Sequence, residues 1–356
     1  VSSPRHPARV GPYDILVKLG GGGMATVFLG RRVDERGEQQ LAAIKVMLST
    51  LAGEAEFVAM FADEAKILAR LDHPNISRTL EVGHADHTGY IAMEVLLGRT
   101  LADAWDAARP REVRFRFDLS AWICAEIARG LHYAHELTDE AGEPYNLIHR
   151  DVNPTNIFLT YDGAIKLLDF GLAKARDRKA HTMTGVVKGK VPYLSPEQIG
   201  QAQLDRRCDI FSLGATLWEM TTMTRLFKRK ADIDTIIAIR DGVVPDPRTL
   251  VEGYPDALWA IVRRALARDR DERYPTARAM GEDLEAFVDT RGVRNLEPFV
   301  GALLDRLFPG ERETQHGWLD HAAAQPVREE VPSMIPPAPI SMQDLCVDPS
   351  AARESS

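Results

Sequence analysis

The stretch from His149 to Gly171, HRDVNPTNIFLTYDGAIKLLDFG, constrains this chain most. Two apolar runs, NIFLT and AIKLL, are separated by Tyr-Asp-Gly, which predicts a β-hairpin with a glycine turn. Asp151 and Asn156 share the loop that enters the hairpin, and Asp169 follows the strand that leaves it. The hairpin therefore allows three polar side chains from two loops to converge. Oxygen ligands gathered at one point suit a hard cation such as Mg²⁺, which keeps substrate phosphates in its shell. A remaining carboxylate would be available to orient a hydroxyl and accept its proton.

The whole chain narrows the options further. Its 356 residues suffice for one large or two ordinary domains, and 45% hydrophobic content supports a sizeable core. The formal net charge of −8 argues against nucleic-acid binding, which normally calls for a basic domain. Cys124, Cys208 and Cys346 are scattered and odd in number, with no CxxC pair. They suggest neither a disulfide framework nor a zinc site, and fit a reducing, cytoplasmic setting. The apolar run LWAIVRRALA is broken by Arg263 and Arg264, so no membrane segment is expected within the chain. Whether an anchor, transmembrane or sensor region lies beyond either end is left open.

Toward the amino terminus, YDILVKLGGGGMATVFLG places four glycines between apolar runs and predicts strand, glycine turn, strand. Without Cβ atoms, such a turn lets backbone N–H groups approach phosphate oxygens. LAAIKVM carries Lys45 within an apolar strand, where a lysine needs a partner. EFVAMFADEAKILARL has helical spacing and contains Glu64, with Glu54, Glu56 and Asp63 as other candidates to pair with Lys45. TLEVGHADHTGYIAMEVLLG predicts a hairpin with His84 and His87 near its turn.

HRDxxxxN followed by DFG, after a glycine-rich strand turn and a strand lysine, resembles the eukaryotic-like bacterial serine/threonine protein kinases of the protein kinase superfamily. The resemblance covers about Tyr13 to Asp289. It implies an α+β, bilobal fold with a small β-rich lobe carrying one key helix and a larger, mainly helical lobe. The expected organisation is a leader at 1–12, a kinase domain at 13–289, a helical extension at 290–321 and a Pro-rich flexible tail at 322–356. Within the domain the small lobe would run to about 93, the hinge from 94 to 98 and the large lobe from 99.

Residue roles carry over with the motifs. Leu19, Gly20, Gly21, Gly22, Gly23, Met24, Ala25, Val27, Ala43, Lys45, Met93, Glu94, Leu96 and Phe158 would bind ATP. Backbone groups of Glu94 and Leu96 would meet the adenine, and the E-x-x-x-L-x-x-L-x-H-P-N register favours Glu64 as the Lys45 partner. Asn156 and Asp169 would hold Mg²⁺, or Mn²⁺ in its place, and Asp151 would be the catalytic carboxylate. Arg150, Asp209 and the pair of Glu197 with Arg273 would be structural supports. Thr182 and Thr184 are the expected autophosphorylation sites in a segment ending Ser195-Pro196-Glu197. Protein substrates and self-association for trans-autophosphorylation are implied.

Two positions depart from the family. Asn153 stands where the loop normally has lysine, and Lys190 stands where a threonine normally follows Gly189. The expectation is that Lys190 supplies the missing cation. Asn153 and Ala25 are also what a pseudokinase scaffold would offer. Lys45, Glu64, Asp151, Asn156 and Asp169 are all present, which argues for an enzyme. A small-molecule phosphotransferase is the third reading, and the SPE segment with Asp209 and Arg273 favours protein substrates over it.

Overall fold

The computed structural model describes residues 7–21, 25–34, 36–47, 67–85, 88–170, 191–200 and 202–324. Tertiary contacts divide the chain into two units, with a boundary between Leu96 and Leu97. The first unit takes in the amino-terminal strands, residues 78–96 and the chain from Gly317 onward; the second holds 72–77 and 97–316.

The first unit is built on a six-stranded antiparallel sheet. Its strands are β1 (Arg9–Val10), β2 (Tyr13–Gly21), β3 (Ala25–Val33), β4 (Gln39–Met47), β5 (Thr79–Ala85) and β6 (Thr88–Met93), in the order β1-β2-β3-β4-β6-β5. Alternation along the strands sorts the side chains, because successive residues point to opposite faces. Tyr13, Ile15, Phe28, Ala42, Ile44, Tyr90 and Ala92 gather as a core on one face. Gly30 is needed there: a Cβ would come within 2.6 Å of Ile44 Cγ1. At the edge of this core Glu81 accepts hydrogen bonds from Tyr90 Oη (2.6 Å), Tyr13 Oη (3.3 Å) and Arg32 Nη1 (2.8 Å). Burial beside the Glu81 carboxylate pushes the Tyr13 phenol up to about 12.

The second unit contains the predicted hairpin. β8 (Ile157–Thr160) and β9 (Ile165–Leu167) pair antiparallel, and β7 (Gly98–Thr100) adds a third strand beside β8. The turn closes on Gly163, whose φ of 97° suits glycine. Helices α1 (Leu101–Ala108), α2 (Phe117–His135), α3 (Pro196–Ile199), α4 (Arg207–Thr222) and α5 (Asp232–Asp241) follow. Next come α6 (Asp256–Ala265), α7 (Ala277–Thr290), α8 (Glu297–Leu307) and α9 (Glu311–Ala324). Thr100 and Asp103 form a capping box that starts α1 directly off β7.

α4 is buried on every side from Cys208 to Thr222, as expected for a central helix. Its hydroxyls are accommodated by bonding back one turn: Ser212, Thr216, Thr221 and Thr222 each donate to the carbonyl four residues earlier. α2 packs along α7 and against α4, so its apolar face is enclosed. Ile123, Ile127 and Leu131 are buried there, whereas Trp122 is only half-buried.

The carboxy-terminal extension, expected at 290–321, consists of two helices, and the second runs three residues past that expected end. α8 carries Pro298 in its first turn. Val300, Leu304 and Leu307 are buried, whereas Phe299 is 40% exposed under the Arg116 guanidinium. Gln315 of α9 is buried and pairs with both backbone groups of Gly98, accepting its N–H at 2.8 Å and donating to its carbonyl at 3.1 Å. Within the first unit, the buried Arg31 donates to the Ala322 carbonyl at 2.9 Å. Among the described residues no helix is long and apolar enough to cross a membrane.

Candidate active site

In the first unit, strand register places the expected nucleotide residues. Val27 lies opposite Lys45, Leu29 opposite Ala43, Ala43 opposite Met93 and Lys45 opposite Ile91. Directly opposed residues share a face, so Val27, Ala43, Lys45 and Met93 line one face, opposite the one that carries Phe28, Ile44 and Ala92. Lys45 is half-buried there in a central strand.

β2 continues through Leu19, Gly20 and Gly21, with Gly20 opposite Val27, so the turn begins later than the glycine run suggests. Gly22, Gly23 and Met24 lie outside the described residues, as do Glu64, Thr182, Thr184 and Lys190; Ala25 opens β3. Glu94 N–H donates to the Arg78 carbonyl at 3.0 Å, and Glu94 Oε1 accepts Arg78 N–H at 2.9 Å. Leu96 is the last residue of this unit before the boundary.

In the second unit, the loop His149–Asn156 is held from several directions. Asp209, in the first turn of α4, is fully buried. Its carboxylate accepts the backbone N–H groups of His149 and Arg150, each at 2.8 Å, and the His135 ring Nε2 at 2.8 Å. Burial would raise this carboxyl; the His135 and His149 contacts more than offset that and hold it below the usual range. Gln198 Nε2 donates to the Arg150 carbonyl at 2.9 Å, while its Oε1 closes a capping box with Ser195 at the start of α3. Glu197 beside it takes a bidentate ion pair from Arg273, at 2.7 and 2.9 Å.

His149 links this loop to the next one. Asp151 N–H donates to His149 Nδ1, which fixes the tautomer, and Nε2 donates to the Leu168 carbonyl at 2.8 Å. Its ring meets Phe170 edge-on at 4.6 Å between centroids. Leu168 N–H in turn donates to the Asn156 carbonyl at 2.8 Å, which anchors Asp169 one residue later. Asn75 adds a further support, accepting Leu167 N–H at 2.8 Å and donating through Nδ2 to the Ile165 carbonyl. Arg150 and Asp169 both adopt left-handed backbone, with φ of 65° and 59°. Non-glycine residues reach that region at a cost and are concentrated at functional sites.

The Asp151 carboxylate receives two side-chain amides. Asn156 Nδ2 donates to Oδ2 at 3.0 Å and Asn153 Nδ2 donates to Oδ1 at 2.9 Å. Both amides also reach the Asp151 backbone carbonyl. With both Nδ2 hydrogens of Asn156 engaged, its Oδ1 is the atom that remains to meet a cation. That donor chemistry, amide oxygen plus the Asp169 carboxylate, fits Mg²⁺ completed by phosphate oxygens. Phe158 is half-buried in β8 between Thr100 and Lys166.

Sequence reasoning missed Asn75, His135, Asn153 and Gln198 as supports. The Ser-x-x-Gln capping-box pattern could have drawn attention to Gln198.

Residues 13–284 match the protein kinase domain family. The chain belongs to the protein kinase family. The chain is 41% identical over 305 residues to the tyrosine-protein kinase MasK of Myxococcus xanthus, covering 86% of this chain and 47% of that protein. It is 33% identical to the serine/threonine-protein kinase PrkC of Bacillus subtilis (79% of this chain, 40% of that one). Identity is also 33% to PknL of Mycobacterium tuberculosis (78% and 66%). The chain thus spans less than two thirds of the length of these relatives. The crystal structure of the M. tuberculosis PknI kinase domain superposes with a TM-score of 0.59 at 24% identity, over 78% of this chain and 97% of that one, and supports the fold.

Proposed function

We propose that the chain transfers the γ-phosphoryl group of ATP to serine or threonine hydroxyls of proteins, its own activation segment included. The observation that carries this reading is the Asp151 carboxylate, aimed by two amides while Asn156 Oδ1 is left to a cation. In this mechanism the glycine-turn amides and Lys45 hold the ATP phosphates, and Glu64 positions Lys45. Asn156 and Asp169 would hold Mg²⁺, which neutralises phosphate charge when bound. Asp151 orients the acceptor hydroxyl and takes its proton. Phosphoryl transfer asks little more of a protein than positioning and charge stabilisation.

The intact set of Lys45, Asp151, Asn156 and Asp169 supports an enzyme, and no observation favours the pseudokinase reading. Ser195, Glu197 and Arg273 support a protein substrate. Tyrosine as acceptor is a second reading, favoured by the name of the Myxococcus relative. The test is incubation with Mg-ATP, wild type beside Asp151→Asn, read by intact mass and peptide mapping. Phosphate on Thr182 or Thr184 in wild type alone is the expected result. Phosphate confined to tyrosine would establish the second reading. ATP binding without transfer, in the presence of candidate protein substrates, would overturn both.

A further inference from the structure

The loop lysine of the family is replaced here by a buried amide, and the geometry of that amide is specific. Asn153 is 1% exposed, and all four of its hydrogen-bonding positions are used. Oδ1 accepts the Thr155 backbone N–H at 2.9 Å and the Thr155 hydroxyl at 2.5 Å. The first of these can only donate, so the amide cannot be flipped. Nδ2 therefore faces Asp151, donating to its carbonyl and to its carboxylate Oδ1, both at 2.9 Å. One side of the amide caps the turn Pro154–Asn156, and the other grips the catalytic carboxylate.

We propose that Asn153 is a positioning residue for phosphoryl transfer. Together with Asn156 it fixes both oxygens of Asp151, so that the rotamer presented to the acceptor hydroxyl is set before substrate arrives. Asn156 holds Oδ2, and Asn153 adds the hold on Oδ1. A lysine at 153 could not do both jobs: its ammonium donates only and offers no acceptor for Thr155 N–H. The departure from the family at this position is thus a different way of ordering the loop, and the charge that lysine would bring has to come from elsewhere. The inference rests on the reading of Asp151 as catalytic base.

The isostere Asn153→Asp separates the two faces of the side chain. It keeps an acceptor for Thr155 and replaces the donor toward Asp151 with another acceptor. Single-turnover transfer should fall about 10- to 100-fold, while ATP affinity, titrated with a fluorescent nucleotide, stays within about twofold of wild type. Asn153→Ala should show the same split, and covers the case in which the aspartate variant fails to fold. Thr155→Val, which removes only the hydroxyl on the far face, should leave the rate within about twofold. Asn153→Lys, restoring the family residue, should be slower than wild type. Transfer by Asn153→Asp and Asn153→Ala at the wild-type rate would overturn the inference. So would a loss of ATP affinity as large as the loss of rate, which marks a collapsed loop. A wild-type protein that transfers no phosphate would instead remove the kinase reading, and this inference with it.

Discussion

Asp209 Oδ1 accepts the backbone N–H of Arg150 at 2.8 Å, tying the central helix α4 to the residue immediately before Asp151. The carboxylate is fully buried, and its nitrogen donors come from His135, His149 and Arg150. Asp209→Asn would present an amide N–H₂ to at least one of those donors. We predict a loss of about 3 kcal/mol in stability at neutral pH, measured by urea unfolding. The pH dependence has a definite sign. The folded carboxyl lies below its unfolded value near 3.8, so its contribution is complete above that value and is lost as pH falls through the lowered folded one. The gap between wild type and variant should therefore close in acid. A gap that widens below pH 3.8 would contradict the assignment.

Arg273 uses all five of its N–H donors. Two go to Glu197, and three go to the carbonyls of Ala267, Arg207 and Arg268. Its side chain is inaccessible to solvent, so removing donors leaves buried acceptors without partners. Arg273→Lys offers three donors on a flexible stem in place of a planar fork. The expected cost is about 3 kcal/mol, read from the midpoint and slope of chemical unfolding. A variant as stable as wild type would mean that the pair is replaceable by a point charge.

Much of this was legible beforehand because the motifs are short and local. The Tyr-Asp-Gly turn between two apolar runs gave β8 and β9, and alternation gave the face carrying Lys45. Asp209 and the Glu197–Arg273 pair were foreseen from their place in the family pattern. What escaped was partnership between segments distant in the chain. Nothing in the sequence around His135 says that it meets Asp209, nor that Gln198 reaches the Arg150 carbonyl. Phe299 follows helical periodicity as a core residue would, yet it lies under Arg116 at the surface; periodicity reports a face, not what covers it. Asn153 looked like a missing cation, because its two Thr155 bonds and two Asp151 bonds depend on the turn geometry of the folded loop.

Gln315 joins the carboxy-terminal extension to the strand that opens the second unit. It pairs with Gly98 through both backbone groups, in the manner of a neighbouring strand, and is buried. Gly98 admits no substitute: an added Cβ would lie 2.0 Å from the Leu159 carbonyl oxygen. Gln315→Ala should cost about 2 kcal/mol, since it strands a buried N–H and a buried carbonyl. Gln315→Glu keeps the acceptor for Gly98 N–H and turns the donor toward the Gly98 carbonyl into a repulsive contact, so it should be no more stable than the alanine variant. Thermal melts of the three proteins decide the matter. Unchanged melting in both variants would mean that the extension is held without this pair.

Lys190 is the remaining candidate for the charge that Asn153 does not bring. Every polar position of the Asn153 amide is engaged within its own loop, so it offers the γ-phosphate neither charge nor a spare donor. In this sequence the nearest change of opposite kind is Lys190 after Gly189, where the family has threonine. If Lys190 supplies that charge, Lys190→Ala should lower kcat by about 100-fold, the scale of losing one charge-stabilising donor at a phosphoryl-transfer site. The KM for ATP should change little, because the adenine and the other phosphates keep their contacts. Lys190→Arg should recover part of the rate, since the charge remains. Steady-state kinetics on a fixed peptide substrate, started with protein already phosphorylated on Thr182 or Thr184, separates this effect from a failure to autophosphorylate. A Lys190→Ala protein as fast as wild type would mean that the charge at this site has no substitute and that transfer proceeds without it.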